Sequence, residues 1–325
     1  MVIINIMKNN NIQVSVIVIT YNQRKYIRQA IDSILMQEVN FTYEILVGDD
    51  ASTDGTQEIL KEYKEKYPEL FKLILRKENI GATKNIYDIL TKAKGKYLAT
   101  LEGDDYWINS SKLQMQYNFL ENNNEYIGCT HKFTIVDDDG KLLKNQKLSW
   151  VKQKERFTIN DFKGILLPGQ LCTWFFKNIF INNKYKLMTN VHRLISDRTI
   201  MMIILLNGDL GFVNENMGCY RSSVKLKNKS KCTNMMYRNN INKIKQEIDI
   251  TKKNEYIASF YFNKQYEFLE YRRQIFTDSI IMFLKQPSKE TLNDIRESFN
   301  YSKKKCIAIC CIPFNLLKKI YYKLG

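Results

Sequence analysis

The sequence predicts an α/β fold built on a doubly wound, mostly parallel sheet. Two observations support this prediction. Short β-branched runs alternate with helical patterns over the first hundred residues, and these runs lack the apolar–polar alternation of half-exposed strands. An order β-α-β-α-β-α-β is typical of parallel strands joined by crossover helices. The predicted strands are VSVIVIT (Val14–Thr20), YEILV (Tyr43–Val47), FKLIL and KYLATL.

Each connecting segment carries apolar residues at helical spacing. In KYIRQAIDSILM, which follows the first strand, Ile27, Ile31 and Ile34 would form one face against the sheet. TQEILKEYKEKY follows the second strand, and we expect Asp54 and Gln57 to form a capping pair at its start. ATKNIYDILTKAK follows the third strand and completes the alternation.

The pattern changes after residue 101. Asn109 is predicted to cap the helix SKLQMQYNFLEN, and YIGCTHKFTIV followed by the turn DDDG predicts an antiparallel hairpin. Further candidate elements are LCTWFF, the apolar helix LISDRTIMMIILLN and the short strand LGFVN. From about Ser222 the chain is rich in Lys, Asn and Tyr at helical spacing. We therefore expect one domain over residues 1–222 and a basic helical extension over 223–325.

Composition excludes several classes of protein. With 325 residues, 44% of them apolar, the chain can bury a core and is not disordered. Most of the net charge of +16 lies in the last third of the chain. The seven cysteines form no CxxC pair, which predicts a reduced, cytoplasmic setting. No stretch approaches the roughly 20 apolar residues of a spanning helix, and the first residues do not resemble an export signal.

Acidic pairs follow two of the predicted strands. Asp49 and Asp50 come after the second strand, and Asp104 and Asp105 come after the fourth. Ligands of such sheets bind at the carboxyl ends of the strands, and adjacent carboxylates behind a buried strand need a positive partner. Mg²⁺ or Mn²⁺ suits them, because these ions take one or two carboxylates plus phosphate oxygens. A turn before a helix is the alternative for either pair.

Four segments, in this order and spacing, resemble the inverting glycosyltransferases of family 2, which have the GT-A fold. They are VSVIVITYN, EILVGDDASTDGT, NIGATKN and KGKYLATLEGDDYW, and the last is similar to the EGDDYW branch. The resemblance covers roughly residues 13–222. It implies transfer of a sugar from a nucleotide-diphosphate donor to a hydroxyl of a glycan or lipid-linked glycan. A UDP-sugar is the donor that we expect first. Bacterial surface polysaccharide synthesis is the implied setting, with Mg²⁺ or Mn²⁺ as cofactor.

The resemblance also implies roles for individual residues. Where other members often have Pro-Thr-Tyr-Asn, this chain has Ile in place of Pro. By this resemblance, Asp50 would recognise the base, and the nucleotide pocket would be lined by Thr20, Tyr21 and Asn22. Asp105 would bind the metal directly, and Asp104 would lie near the ribose and the metal.

Inverting transfer needs a base beyond the metal motif that takes the proton of the acceptor hydroxyl. We choose Asp197, because RLISDRTIMMIILLN resembles the family segment in which an acid opens a long apolar helix. The alternative for Asp197 is a helix cap, a role that Ser196 could also fill. The other acids beyond the motif fit turns or caps better; they are Asp137–Asp139, Asp161 and Asp209.

Two basic features remain. Arg221 in GCYR is predicted to reach the donor diphosphate, with an ordinary surface arginine as the alternative.

Residues 301–325 hold six lysines and no acid, and they fit either an amphipathic anchor on anionic lipid or a helix packed on the domain. An anchor would place the protein at the inner face of the cell membrane. No nucleic-acid partner is predicted, since no binding motif is visible.

Two other classes share parts of this pattern. A nucleotidyltransferase would be expected to carry a Gly-rich, basic loop after the first strand, and TYNQRK contains no Gly. A non-catalytic nucleotide- or sugar-binding protein would keep the fold without the metal. Loss of metal-dependent binding and turnover on substitution of Asp105 separates an enzyme from either.

Overall fold

The computed structural model describes residues 11–181, 197–222 and 243–302. These residues fall into two compact units. The first unit contains the described residues up to 222 except Lys163–Ile165, and the second contains those three residues and 243–302.

The first unit begins with the predicted parallel sheet. Its strands are β1 (Val14–Thr20), β2 (Tyr43–Asp49), β3 (Phe71–Leu75) and β4 (Tyr97–Glu102). They lie in the order β3-β2-β1-β4, and all three pairings are parallel. Every residue of β1 and β2 is buried, as expected for strands covered on both faces. The predicted doubly wound sheet is confirmed.

Three helices connect these strands: α1 (Ile27–Leu35), α2 (Thr56–Lys66) and α3 (Ala82–Leu90). The predicted apolar face of α1 is fully buried in the same core cluster as Val14, Val16 and Val18 of β1. Each isoleucine buried there contributes roughly 1.5–3 kcal/mol of transfer free energy. The helix is therefore held mainly by its contact with the sheet.

The start of α2 differs from the prediction. Gly55 has φ of 95°, in the left-handed region that glycine adopts without strain. Asp54 Oδ1 accepts from the Thr56 N–H at 3.0 Å, but the Gln57 side chain turns away and donates to Asp49 Oδ1 at 2.6 Å. The expected capping pair of Asp54 and Gln57 is therefore wrong, because Gln57 is used to hold Asp49.

The sheet continues beyond β4 with short and long strands of both directions. The order is β4-β8-β6-β9-β5, and β7 pairs with β9. The strands are β5 (Tyr106–Trp107), β6 (Tyr126–Val136), β7 (Arg156–Phe157), β8 (Phe175–Lys177) and β9 (Asp209–Arg221). The helices of this part are α4 (Lys112–Asn122), α5 (Ile159–Phe162) and α6 (Asp197–Asn207), with a 3₁₀ turn at Leu171–Thr173.

The predicted hairpin after β6 is reduced to one bridge, between Val136 and Leu142. The main partner of β6 is β9, which runs parallel to it and pairs Val136 with Arg221. The segment after the DDDG turn, KLLKNQKLS, is too polar to extend an apolar strand face, whereas β9 supplies one. The predicted short strand LGFVN is accordingly the start of a 13-residue strand.

Asn109 also differs from its predicted role. Helix α4 begins at Lys112, and Asn109 Oδ1 accepts from the Ser111 N–H at 2.8 Å. Asn109 therefore closes a turn before the helix and does not cap it.

The second unit is helical, as predicted for the C-terminal part of the chain. Its helices are α7 (Lys243–Phe262), α8 (Leu269–Lys285) and α9 (Lys289–Tyr301). Arg272 on α8 donates through Nε to Glu255 on α7 at 2.9 Å. None of the helices in the described ranges combines the length and apolar character needed to cross a membrane. The proposed lipid anchor lies almost entirely outside the described residues.

Candidate active site

The acidic motif follows β4 at the carboxyl edge of the parallel strands. Asp105 is only 1% exposed, and its Oδ1 accepts from the Arg221 N–H at 2.8 Å. Its Oδ2 is buried and has no hydrogen-bond partner among the described residues. A buried carboxylate oxygen without a partner is costly, so this atom is poised for a ligand.

Burial raises the pKa of three carboxyl groups at this edge, and neighbouring negative charges add to the rise. Burial, followed by the charges of Asp104 and Asp197, raises the pKa of Glu102 to about 8. Burial raises the pKa of Asp104, and burial with the charges of Asp104 and Glu102 raises the pKa of Asp105 well above its usual range. Each shift means that the ionised cluster lacks a sufficient positive partner within the protein.

The residues present fit a divalent cation that is shared with a substrate. Within the described ranges, no group of three or more His, Cys, Asp or Glu side chains is arranged to hold an ion by itself. Asp104 and Asp105 would supply one or two carboxylate ligands, and Oδ2 of Asp105 accepts no hydrogen bond in the described part of the chain. Mg²⁺ and Mn²⁺ bound in this way complete their coordination with phosphate oxygens and water.

The first strand delivers Thr20 to the same edge. In the described part of the chain, Thr20 Oγ1 and Gln23 Oε1 are buried without hydrogen-bond partners. A Cβ on Gly103 would lie 2.4 Å from Gln23 Oε1 and 2.8 Å from Thr20 Oγ1, so only glycine allows this close approach. Gln23 also donates to Asp104 and thereby opposes the rise in its pKa. Gln23 was not identified from the sequence.

The other two predicted pocket residues flank this point. Tyr21 is 38% exposed, which leaves its ring accessible to a ligand. Asn22 has φ of 53° and accepts through Oδ1 from the Thr53 N–H at 2.8 Å. Asn22 therefore links the end of β1 to the segment that follows β2, and contact of either residue with nucleotide stays a prediction.

Asp50 binds the start of α3. Its two carboxylate oxygens accept from the main-chain N–H groups of Ile80 and Gly81, at 2.8 and 2.9 Å. Negative charge at this end is favoured by the helix dipole. The predicted contact with a base stays a prediction, and lone pairs of both oxygens remain for it. Asp49 has a turn role, since its Oδ1 accepts from the Ser52 N–H at 2.9 Å.

Asp197 is the first residue of α6, so it lies in the first helical turn. It raises the pKa of Glu102 and of Tyr87, which shows that it lies within electrostatic range of the acidic motif. The structure thus brings it close to residues far earlier in the chain. Its role as base stays a prediction, and Ser196 lies outside the described residues.

The other acids considered as bases have structural contacts. Asp161 lies within α5, and its Oδ2 accepts from the N–H of Thr158, the residue before the helix, at 3.1 Å. Asp137 Oδ1 accepts from main-chain N–H groups within its own turn. Asp209 accepts from Arg156 Nε at 2.7 Å. Asp138 is different, because its charge contributes to the raised pKa of Asp104.

Lys112 lies behind the motif and was not identified from the sequence. Its side chain is fully buried, and its Nζ lies 3.6 Å from the centre of the Trp107 ring without a hydrogen-bond partner in the described chain. Burial lowers the pKa of Lys112 to about 7. The titratable groups facing it are His131, whose pKa falls to about 3, and two thiols with raised pKa, those of Cys129 and Cys172. Lys112 is thus the member of this group that titrates near neutral pH.

Replacing Lys112 with methionine is expected to stabilise the protein at pH 7. Unfolded lysine has a pKa near 10.4, so between about pH 7 and 10 the unfolded state binds more protons and wild-type stability rises with pH. The advantage of Lys112→Met should shrink by about 1.4 kcal/mol per pH unit across this window. Urea unfolding of both proteins at several pH values measures it. Lys94→Met, at an exposed lysine, is the matched control. If the difference in unfolding free energy between Lys112→Met and wild type did not change with pH, a buried amine that titrates in this range would be contradicted.

Comparison with known proteins places these residues in a family. The model of the family described as Glycosyl transferase family 2 matches residues 15–183, just over half of the chain. The matched range contains the acidic motif and the β1 and β2 ends, whereas Asp197 and Arg221 lie beyond it.

Curated relatives match less than half of this chain. The uncharacterized protein Rv1520 of Mycobacterium tuberculosis is 44% identical over 137 residues, which are 42% of this chain and 40% of that protein. TuaG of Bacillus subtilis, a glycosyltransferase assigned provisionally to teichuronic acid biosynthesis, is 38% identical over 46% of this chain and 56% of its own length. The match thus spans about half or less of these relatives.

A solved structure shares the fold over most of the chain. TarS of S. aureus, residues 1–349 in complex with UDP-GlcNAc, aligns with a TM-score of 0.61 and 17% identity. The alignment covers 94% of this chain and 83% of that one. This likeness supports the GT-A fold, and the family match settles the membership: the chain belongs to glycosyl transferase family 2.

Proposed function

We propose that the protein is an inverting glycosyltransferase that transfers a sugar from a nucleotide-diphosphate donor to a hydroxyl of a glycan or lipid-linked glycan. The buried Oδ2 of Asp105, which accepts no hydrogen bond among the described residues, carries the proposal, because with the adjacent Asp104 it offers oxygen ligands to a cation that also binds the diphosphate. Membership of family 2 supports the class of reaction. The EGDDYW sequence supports assignment to that branch.

In this proposal the donor lies across the carboxyl ends of β1, β2 and β4. Thr20, Tyr21 and Asn22 line the nucleotide pocket, and Asp50 recognises the base. Asp104 and Asp105 hold the cation together with the diphosphate. When bound, Mg²⁺ or Mn²⁺ supplies positive charge that stabilises the departing diphosphate.

Asp197 acts on the acceptor side. Its carboxylate takes the proton of the acceptor hydroxyl as that oxygen attacks the anomeric carbon. The new carbon–oxygen bond forms on the face opposite the bond to the diphosphate, which breaks with its electron pair leaving on the diphosphate oxygen. The configuration at the anomeric carbon is therefore inverted.

The proposed donor class and biological setting draw on the similar proteins. A UDP-sugar is the donor class we propose, in keeping with the UDP-GlcNAc bound in the structural neighbour TarS. Similarity to TuaG supports a role in bacterial surface polysaccharide synthesis. Residues 1–222 would carry catalysis, with 223–325 as an accessory extension. A cytoplasmic protein with residues 301–325 on the inner membrane surface would suit a lipid-linked acceptor.

A thermal-shift screen of UDP- and GDP-sugars, each with and without Mn²⁺, tests the proposal. We expect one nucleotide to raise the melting temperature, and to raise it more when Mn²⁺ is present than when it is absent. The same donor should be consumed when acceptor is added. Binding without any sugar transfer or donor hydrolysis would favour a non-catalytic binding protein. Release of pyrophosphate from a nucleoside triphosphate would favour a nucleotidyltransferase. Either result would overturn the proposed reaction.

A further inference from the structure

Arg221 is the last residue of β9 and is not a surface arginine, since it is only 6% exposed. Its main-chain N–H donates to Oδ1 of Asp105, and its side-chain Nε donates to the carbonyl oxygen of Asp104, both at 2.8 Å. One residue thus contacts both members of the acidic pair.

The two terminal nitrogens of its guanidinium also donate within the protein. Nη1 donates to the carbonyl oxygen of Asp137 at 2.9 Å, and Nη2 donates to Oε1 of Gln29 on α1 at 2.8 Å. The guanidinium carbon lies 4.5 Å from the centre of the Tyr26 ring. Because the donors of a guanidinium form a rigid planar fork, acceptors on three segments of the chain fix its orientation.

The turn that receives Nη1 also contacts the segment just before α1. Lys25 Nζ donates to the carbonyl oxygen of Asp138 at 3.1 Å and to Oδ1 of Asp139 at 2.9 Å. The turn is also close enough for Asp138 to act on Asp104 electrostatically. Arg221 therefore connects three parts of the site: the acidic pair, the turn beside it and α1.

We infer that Arg221 is a positioning residue for the acidic pair and that it is not a ligand of the donor diphosphate. It holds the peptide between Asp104 and Asp105 and occupies Oδ1 of Asp105, so that Oδ2 is left open toward the cation. To reach a diphosphate, the side chain would have to give up three hydrogen bonds. The inference rests on the proposed function for the identity of the ligands.

Arg221→Lys tests the inference, because lysine keeps the charge but cannot bind the three acceptors together. Calorimetry would measure UDP affinity without metal and the apparent Mn²⁺ affinity in the presence of UDP. We expect the Mn²⁺ affinity to fall about tenfold or more, as for other residues that orient metal ligands, and the metal-free UDP affinity to stay within about twofold. A fall in metal-free UDP affinity with unchanged Mn²⁺ affinity would identify a diphosphate ligand and overturn the inference.

Arg156→Lys is the matched control, since Arg156 pairs with Asp209 at the other end of β9. Both affinities should be unchanged in it. If Arg221→Lys does not fold, the double variant Tyr26→Leu with Gln29→Leu keeps Arg221 and removes two of its supports. Its Mn²⁺ affinity should fall several-fold, and an unchanged value would overturn the inference.

Measurements on the wild-type protein distinguish a failure of the proposed function from a failure of the role inferred for Arg221. If it binds UDP neither with nor without Mn²⁺, the proposed function fails and the inference fails with it. If it binds UDP in a Mn²⁺-dependent way and Arg221→Lys behaves identically, only the role of Arg221 is wrong.

Discussion

Asp105→Asn is expected to abolish Mn²⁺-dependent nucleotide binding and to lower sugar transfer by about 10² to 10³. The asparagine oxygen can still accept from the Arg221 N–H, while the amide nitrogen takes the place of Oδ2 and removes the charge that the cation needs. The melting temperature should stay equal or rise, because the variant deletes a buried charge that has no sufficient partner in the protein. Calorimetry with UDP and Mn²⁺, a transfer assay and a thermal melt measure the three effects.

Asp209→Asn is the control for Asp105→Asn. It removes a carboxylate whose partner is Arg156, at the opposite end of β9, so metal-dependent binding should be retained. Normal Mn²⁺-dependent binding by Asp105→Asn would show that the acidic pair does not hold the cation.

Asp197→Asn is expected to leave donor binding intact and to lower transfer by about 10² or more. The amide cannot take the proton of the acceptor hydroxyl, whereas the substitution leaves the proposed nucleotide contacts at the ends of β1 and β2 in place. In this variant the donor affinity should therefore stay near the wild-type value while the single-turnover rate of transfer falls, when both are measured at the same metal concentration.

Asp138→Asn gives the matched comparison, because Asp138 is the other acid beyond the motif that acts electrostatically on it. We expect transfer by Asp138→Asn to remain within about tenfold of wild type. The reverse ranking, with Asp138→Asn the slower enzyme, would move the role of base from Asp197 to the turn at Asp137–Gly140.

The first half of the fold could be predicted because burial and secondary structure agree there. The β-branched runs of β1 and β2 are buried at every position, and Ile27, Ile31 and Ile34 mark the buried face of α1. Since parallel strands end at a common edge, the positions of Asp50 and Asp105 near that edge followed from the sequence. Local signals were sufficient for β1 to β3, because each pairing there joins strands that are consecutive along the chain, whereas β4 pairs with the more distant β1.

The remainder depends on contacts between distant segments. The DDDG turn predicted a hairpin, but β6 pairs instead with β9, whose sequence gives no sign of that register. Lys112 was not identified from the sequence, although Gln116 and Leu120, at spacings of four and eight, mark the buried face that it shares. Gln23 and the side-chain contacts of Arg221 have no local signature. These residues matter through their partners, which only the folded chain reveals.

The hydrogen bond from the Arg221 N–H to Asp105 spans 116 residues of sequence. Closing so long a loop costs chain entropy, and contacts of this kind form slowly. An emerging polypeptide can assemble β1 to β4 well before β9 has been synthesised. The main-chain support of Asp105, on which the proposed cation site depends, is therefore completed late, after most of the parallel sheet already exists.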